Sequence, residues 1–160
     1  MNLIGLNARK ASLKKINTKI KNKVLKRYAL LLDKEKNTIF KANTQDIKYA
    51  LKKKLKNNLI DRLTINQKKL NDIKKSIYKI ASLKDPVDNL LEKWFRPNGL
   101  KINKVSIPIG VIGVMYESRP NVTSDVASLC FKSGNAVILK GGSEAINTNR
   151  ILAKLFRKSL

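Results

Sequence analysis

The sequence contains no histidine and a single cysteine, Cys130. The first absence excludes Ser-His-Asp hydrolysis, imidazole general-base chemistry and the usual zinc constellations. The second excludes an internal disulfide and a multi-cysteine metal site. Aromatic residues reach only 6%, which argues against a base-stacking surface for nucleic acid. No run approaches the ~20 unbroken apolar residues of a membrane-spanning helix. The opening Met1 to Lys10 lacks the charged-then-apolar order of a secretory signal, so a cytoplasmic protein with no membrane partner is expected. Acidic residues are scarce: 11 Asp and Glu face 35 Lys and Arg, for a net charge of +24.

That charge invites a nucleic-acid reading. The lysines are spread along the helical half instead of forming a block, and they accompany many asparagines and isoleucines. Both features fit a compositional bias in which lysine fills solvated helix faces. No specific nucleic-acid partner is expected, only weak, salt-sensitive binding to polyanions. With 42% hydrophobic residues over 160 positions, the chain has enough apolar material for a packed core.

The pattern changes near Asp85-Pro86. A helical segment, 1–84, precedes it, and a strand-rich segment, 85–160, holds all four prolines and six of the seven glycines. Leu13, Ile16, Ile20, Val24 and Leu31 recur at helical spacing, predicting one amphipathic face. A second helix is predicted from Thr38 to Leu55, with Ile39, Ala42, Ile47, Ala50 and Leu51 inward. Thr64-Ile65-Asn66-Gln67 reads as a capping box opening a third, with Leu70, Ile73, Ile77 and Ile80 as its apolar stripe. Pro97-Asn98-Gly99 predicts a hairpin turn, because Asn98 and Gly99 both accept positive φ. The apolar run within Val105 to Tyr116 suits a strand buried on both faces, and Ala136 to Leu139 repeats that signature. A helix from Val122 to Lys132 lies between them, and another follows from Ser143 to Leu160. The fold class is therefore α/β: amino-terminal helices, a β-hairpin and a right-handed βαβα unit. No Gly-x-Gly-x-x-Gly fingerprint or phosphate loop is present, because Gly110 and Gly113 fall within the first strand.

Two runs, Ile107 to Thr123 and Asp125 to Glu144, resemble the long signature of γ-glutamyl phosphate reductases, members of the aldehyde dehydrogenase superfamily. Asn43 to Asp46, Asp61-Arg62-Leu63 and Asp85-Pro86-Val87 fall in that family's order. The resemblance implies that the βαβα unit begins a Rossmann-like NADP-binding domain. It also implies NADPH-dependent reduction of L-glutamyl 5-phosphate to L-glutamate 5-semialdehyde and phosphate, a step in proline biosynthesis. Asn121 matches an asparagine that supports the developing oxyanion; the alternative is a plain helix cap. Lys140, with Gly141, Gly142, Ser143 and Glu144, matches the cofactor-binding strand end; the alternative for Lys140 is an ordinary exposed lysine. Ser118 and Arg119 can meet an anionic group of the substrate. Cys130 lies among Val126 and Leu129 like a small core residue, so it is not expected to be the nucleophile. In the family that cysteine belongs to a later catalytic domain, which is absent here. The resulting expectation is a truncated or split piece, inactive alone, poorly soluble, and dependent on a complementing chain or a homo-oligomer. The competing expectation is a noncatalytic basic binding or assembly protein derived from the enzyme.

Overall fold

The computed structural model describes residues 3–160. Met1 and Asn2, which open the stretch read above for a secretion signal, lie outside them. Helices α1 (Leu3–Ser12), α2 (Thr18–Lys34), α3 (Lys36–Lys52), α4 (Asn57–Leu63) and α5 (Gln67–Ser82) come first. Strands β1 (Leu90–Phe95) and β2 (Lys101–Val105) follow, then β3 (Val111–Tyr116), α6 (Asn121–Lys132), β4 (Ala136–Gly141) and α7 (Ile146–Ser159). A 3-10 turn, Ser143–Ala145, leads into α7.

The amino-terminal helix differs from expectation because Asn17 interrupts it. Its side chain accepts from the Ile20 N–H at 2.9 Å, capping α2 and leaving Leu13 and Ile16 in the connection from α1. The buried stripe of α2 is consequently Lys21, Val24, Leu25, Tyr28, Ala29 and Leu32, while Leu13 and Ile20 are exposed. In α3, Leu51 turns outward, and the polar Asn43 and Asp46 occupy the inward face with Ile39, Ala42 and Ala50. Short α4 had no sequence signal. The third predicted helix starts two residues later than the Thr64 box implies: Asn66 is the cap, accepting from the Lys69 N–H at 2.9 Å. Thr64 instead donates its hydroxyl to the Ile60 carbonyl at 2.8 Å, ending α4.

β1 and β2 pair antiparallel, with Trp94 opposite Ile102 and Phe95 opposite Lys101. At the turn only Gly99 takes positive φ, +80°. Asn98 is not left-handed; its side-chain oxygen accepts from the Leu100 N–H at 3.1 Å. β3 and β4 pair in parallel, from Val111 opposite Ala136 to Tyr116 opposite Gly141. β3 is shorter than expected and is not buried on both faces: Gly110 precedes it, and Met115 is 80% exposed.

One core joins the helical and strand-rich segments. Leu25, Tyr28, Leu32, Ile39, Leu70, Ile73 and Ile77 pack with Leu152 and Leu155 of α7. Phe131 and Phe156 press against this cluster, and Phe156 meets the Tyr28 ring edge-on at 4.9 Å. The Tyr28 hydroxyl bonds Ser124 at 2.7 Å and donates to the Leu152 carbonyl at 3.3 Å. Burial pushes its pKa well above the ordinary tyrosine value, so the phenol stays neutral. The apolar faces of the amphipathic helices α2, α3 and α5 thereby hold the β3–α6–β4–α7 unit in place, and with it the loop between β3 and α6.

Candidate functional site

The β3–α6 loop, Glu117 to Pro120, is shaped by its own neighbours. Ser118 adopts φ +40° and is buried. Its N–H and hydroxyl donate to Glu144 Oε1 at 2.6 and 3.0 Å. Burial acts to raise the Glu144 pKa, but hydrogen bonds from its own backbone and from Ser118 outweigh it and hold the carboxyl below its usual range. An ionised Glu144 is thus the strut that fixes a strained serine. The expected substrate residue Ser118 and the expected cofactor residue Glu144 are brought together by this bond, so neither reading describes an unengaged side chain.

A second tie sits one layer deeper. The Tyr116 hydroxyl lies 2.6 Å from Thr123 Oγ1, which donates to Asn149 Oδ1 at 2.9 Å. A threonine has one hydroxyl proton, so tyrosine must be the donor in the first bond. Burial raises the Tyr116 pKa against the opposing Thr123 bond, consistent with a protonated donor. Asn149 presses against Gly141 so closely that an added Cβ would stand 2.2 Å from its Nδ2, with the Tyr116 ring 3.0 Å away. Gly141 is therefore required by internal packing. A Cβ on Gly142 would likewise meet the Glu144 carboxylate at 2.1 Å.

Asn121 is the first residue of α6, and Pro120 occupies the cap position without a side-chain cap bond. The plain capping alternative for Asn121 is therefore overturned: Pro120 takes that place, and the Asn121 amide turns away to donate to Asp125 Oδ2 at 3.2 Å. The amide carries two N–H groups, so this bond orients it and leaves the second for a ligand. Asn121, Arg119 and Asp125 share a cavity of 450 Å³ with Arg62, Lys69 and Asp72 from α4 and α5. The sequence reading missed these α4 and α5 residues, since nothing in their local spacing brings them to the loop. Lys140 is exposed near the carboxyl end of β4, opposite Met115. Ser143, at the start of the 3-10 turn, is also exposed. Lys140 and Ser143 thus lie apart from the cavity that gathers Arg119 and Asn121.

Cys130 is 7% exposed, and burial pushes its thiol up from the ordinary value. That is opposite to the activation a nucleophile needs. We expect its alkylation by a maleimide to be at least about tenfold slower in the native chain than in denaturant; equal rates would contradict the packing. Among the described residues there is no cluster of metal-ligating side chains, and no helix is long and apolar enough to cross a membrane.

No protein-family model matches the chain. It is similar to γ-glutamyl phosphate reductase of Persephonella marina, 48% identical over 147 residues, which cover 92% of this chain and 33% of that enzyme. The crystal structure of γ-glutamyl phosphate reductase from Thermotoga maritima superposes with a TM-score of 0.93 at 39% identity, over 97% of this chain and 38% of that one. A probable aldehyde dehydrogenase from Listeria monocytogenes matches with a TM-score of 0.50 at 17% identity, over 95% of this chain and 32% of that one; this likeness is of fold alone. The chain spans about one third of the length of the curated relatives it matches, and corresponds to their amino-terminal part.

Proposed function

We propose that this chain, matching the amino-terminal part of γ-glutamyl phosphate reductases along almost its whole described length, contributes half of such a reductase's active site. The reaction is reduction of L-glutamyl 5-phosphate by NADPH to L-glutamate 5-semialdehyde and inorganic phosphate. The observation that carries this reading is the 48% identity over 147 residues, which includes the loop that sets Arg119 and Asn121 on one cavity wall.

Asn121 supports the oxyanion with the amide N–H that Asp125 leaves over; a fixed dipole needs no reorganisation as charge develops on the carbonyl oxygen. Arg119 attracts the anionic end of the substrate. The strand-end chemistry also fits a phosphorylated nicotinamide dinucleotide, because Lys140 offers an exposed cation where ligands meet parallel sheets. Lys140 and the backbone of Gly141 to Ser143 would hold NADPH, which supplies the hydride when bound. Glu144 serves chiefly by holding Ser118, and so keeps Arg119 and Asn121 in position.

The test is phosphate-dependent reduction of NADP by L-glutamate 5-semialdehyde, measured with the purified chain and with any assembly isolated from its own cell that contains it. In the assembly that turns over, Asn121→Ala lowers kcat by about 10²–10³-fold with little change in the KM for NADP. Lys140→Met weakens NADPH binding while leaving NADH binding nearly unchanged. Turnover lost on Cys130→Ala would return that thiol to the mechanism. Absence of both turnover and NADPH binding in every preparation would overturn the reading.

A further inference from the structure

α1 is packed inside out. It lies against β3 and β4 without burying a single residue. Gly5, Ala8 and Ser12, on one face at spacings of three and four, form its half-buried side. Its leucines look the other way: Leu3 is 70% exposed and Leu6 41%. Beyond its end, Leu13, Ile107 and Ile109 stand exposed around a recess of 350 Å³ that Arg9, Lys14 and Lys15 also line. An ordinary surface helix turns its leucines inward and its charges outward. The helix dipole accounts for Arg9 and Lys10 in the last turn, but not for the leucines. Clustered apolar side chains exposed among charges mark a surface that meets something.

The charge says what kind of partner fits. The first 32 residues carry nine Lys and Arg and no Asp or Glu. At the recess the acid in the lining, Asp88, stands 3.8 Å from Lys15, and Lys21 is held by Asp85. Arg9 and Lys14 have no acidic partner among the described residues. A second copy of this chain would bring the same cations face to face. Nucleic acid would meet the cations but leave the leucines in water, and α1 carries no aromatic side chain for bases to stack on. An anionic lipid surface offers headgroup charge for the cations and, just beneath it, acyl carbon for the leucines. We propose that α1 and the adjoining recess dock this protein on an anionic membrane surface. Leu3, Leu6 and Leu13 enter the headgroup boundary, while Arg9, Lys14 and Lys15 pair with lipid phosphates. The expectation of no membrane partner rested on the lack of a spanning run or a secretory signal, and a helix lying in the headgroup plane needs neither.

The experiment is co-sedimentation of the purified full chain with vesicles at physiological salt. Two compositions serve: phosphatidylcholine alone, and an equal mixture of phosphatidylcholine and phosphatidylglycerol. The mixture should pellet the chain saturably, and the neutral vesicles should leave it in solution. Net charge attracts any basic protein to the mixture, so variants carry the decision. Leu3→Gln with Leu6→Gln removes apolar area and no charge, and should weaken binding at least about tenfold. Lys14→Gln with Lys15→Gln should weaken it by a similar factor. Lys52→Gln with Lys53→Gln makes the same charge loss at the carboxyl end of α3, and should change binding less than about twofold. All six side chains are exposed, so no pair should move the thermal transition. No pelleting by the mixture, leucine replacements without effect, or an α3 pair as damaging as the Lys14 and Lys15 pair overturns the assignment. Single-stranded DNA that outcompetes the vesicles at the same salt gives the patch to nucleic acid, and overturns it likewise.

Discussion

Replacing Asp46 by alanine is expected to lower the unfolding free energy by about 3–5 kcal/mol. Asp46 is 1% exposed on α3, and among the described residues no cation pairs with it. Its Oδ1 accepts from the Asn147 N–H and side-chain amide at 3.1 and 2.8 Å; its Oδ2 accepts from the Thr148 N–H and hydroxyl at 2.8 and 2.6 Å. These donors form the amino-terminal turn of α7, which has no local side-chain cap. Asp46 is thus a cap supplied from a distant helix, its charge favoured by the helix dipole. Removing it strands several buried donors together. Asn43, its neighbour on the same face, ties the α4–α5 junction by accepting from the Ile65 N–H at 2.7 Å and donating to the Leu63 carbonyl at 2.9 Å. The measurement is urea unfolding of Asp46→Ala and Asp46→Asn. A loss below ~1 kcal/mol for alanine would show that water or relaxed packing replaces the carboxylate.

The second large effect concerns Asp85. Lys21 and Lys132 are each only 2% exposed, and Asp85 is the carboxylate that faces both. Lys21 donates to Asp85 at 3.0 Å, and the Thr18 hydroxyl and Val87 N–H add bonds at 2.8 and 3.1 Å. Lys132 is held by Asn22 at 2.7 Å and by the Ala81 carbonyl at 2.9 Å; burial pulls its pKa down, against the attraction of Asp85. Asp85→Ala leaves two buried ammoniums facing each other without a counter-charge, and should cost about 3–5 kcal/mol. The pH dependence has a definite sign. Burial works to raise the Asp85 pKa, but the bonds from Lys21, Thr18 and Val87 prevail and leave it lowered. A lowered carboxylate binds fewer protons folded than unfolded, so its contribution is present above ~4 and disappears as pH falls through the folded value. Urea midpoints between neutral pH and acid should show this limb in the wild type and a flatter one in Asp85→Asn. An unchanged limb would assign the acid sensitivity elsewhere. Lys21→Met should recover part of the loss in Asp85→Ala, since the repulsion goes with it.

Much of the architecture was legible along the chain. The apolar stripe of α5, the hairpin around Pro97-Asn98-Gly99 and the β3–α6–β4–α7 order follow from residue spacing, because each is a local periodicity. In α6 only Cys130 of the expected stripe is buried; Leu129 is exposed, and Thr123, Ser124, Ala127 and Ser128 form the inward face. Asn121 was singled out correctly as a residue of the α6 start, but its partner was not: one turn of helix brings Asp125 beneath it, and that pairing displaces the capping role. The break at Asn17 was hidden because Leu13 and Ile16 keep helical spacing across a connection that a single side-chain cap enforces.

The sequence alone determined what is local or matched residue by residue: the strongly periodic elements though not α4 or the break between α1 and α2, the absence of histidine chemistry, the inert setting of Cys130, and the family likeness of Ile107 to Glu144. Tertiary structure decided what each polar group is for. Asp46 reaches α7 across 101 positions, Glu144 locks Ser118 across 26, and Lys21 meets Asp85 across 64. Such pairings have no periodicity to read, since a buried polar atom is satisfied by whichever donor packing brings within about 3 Å. The cavity lined by Arg62, Asp72, Arg119 and Asp125 has the same origin. Its four charges sit on four separate segments and share one space only when the shared core draws α4 and α5 against the loop and the start of α6.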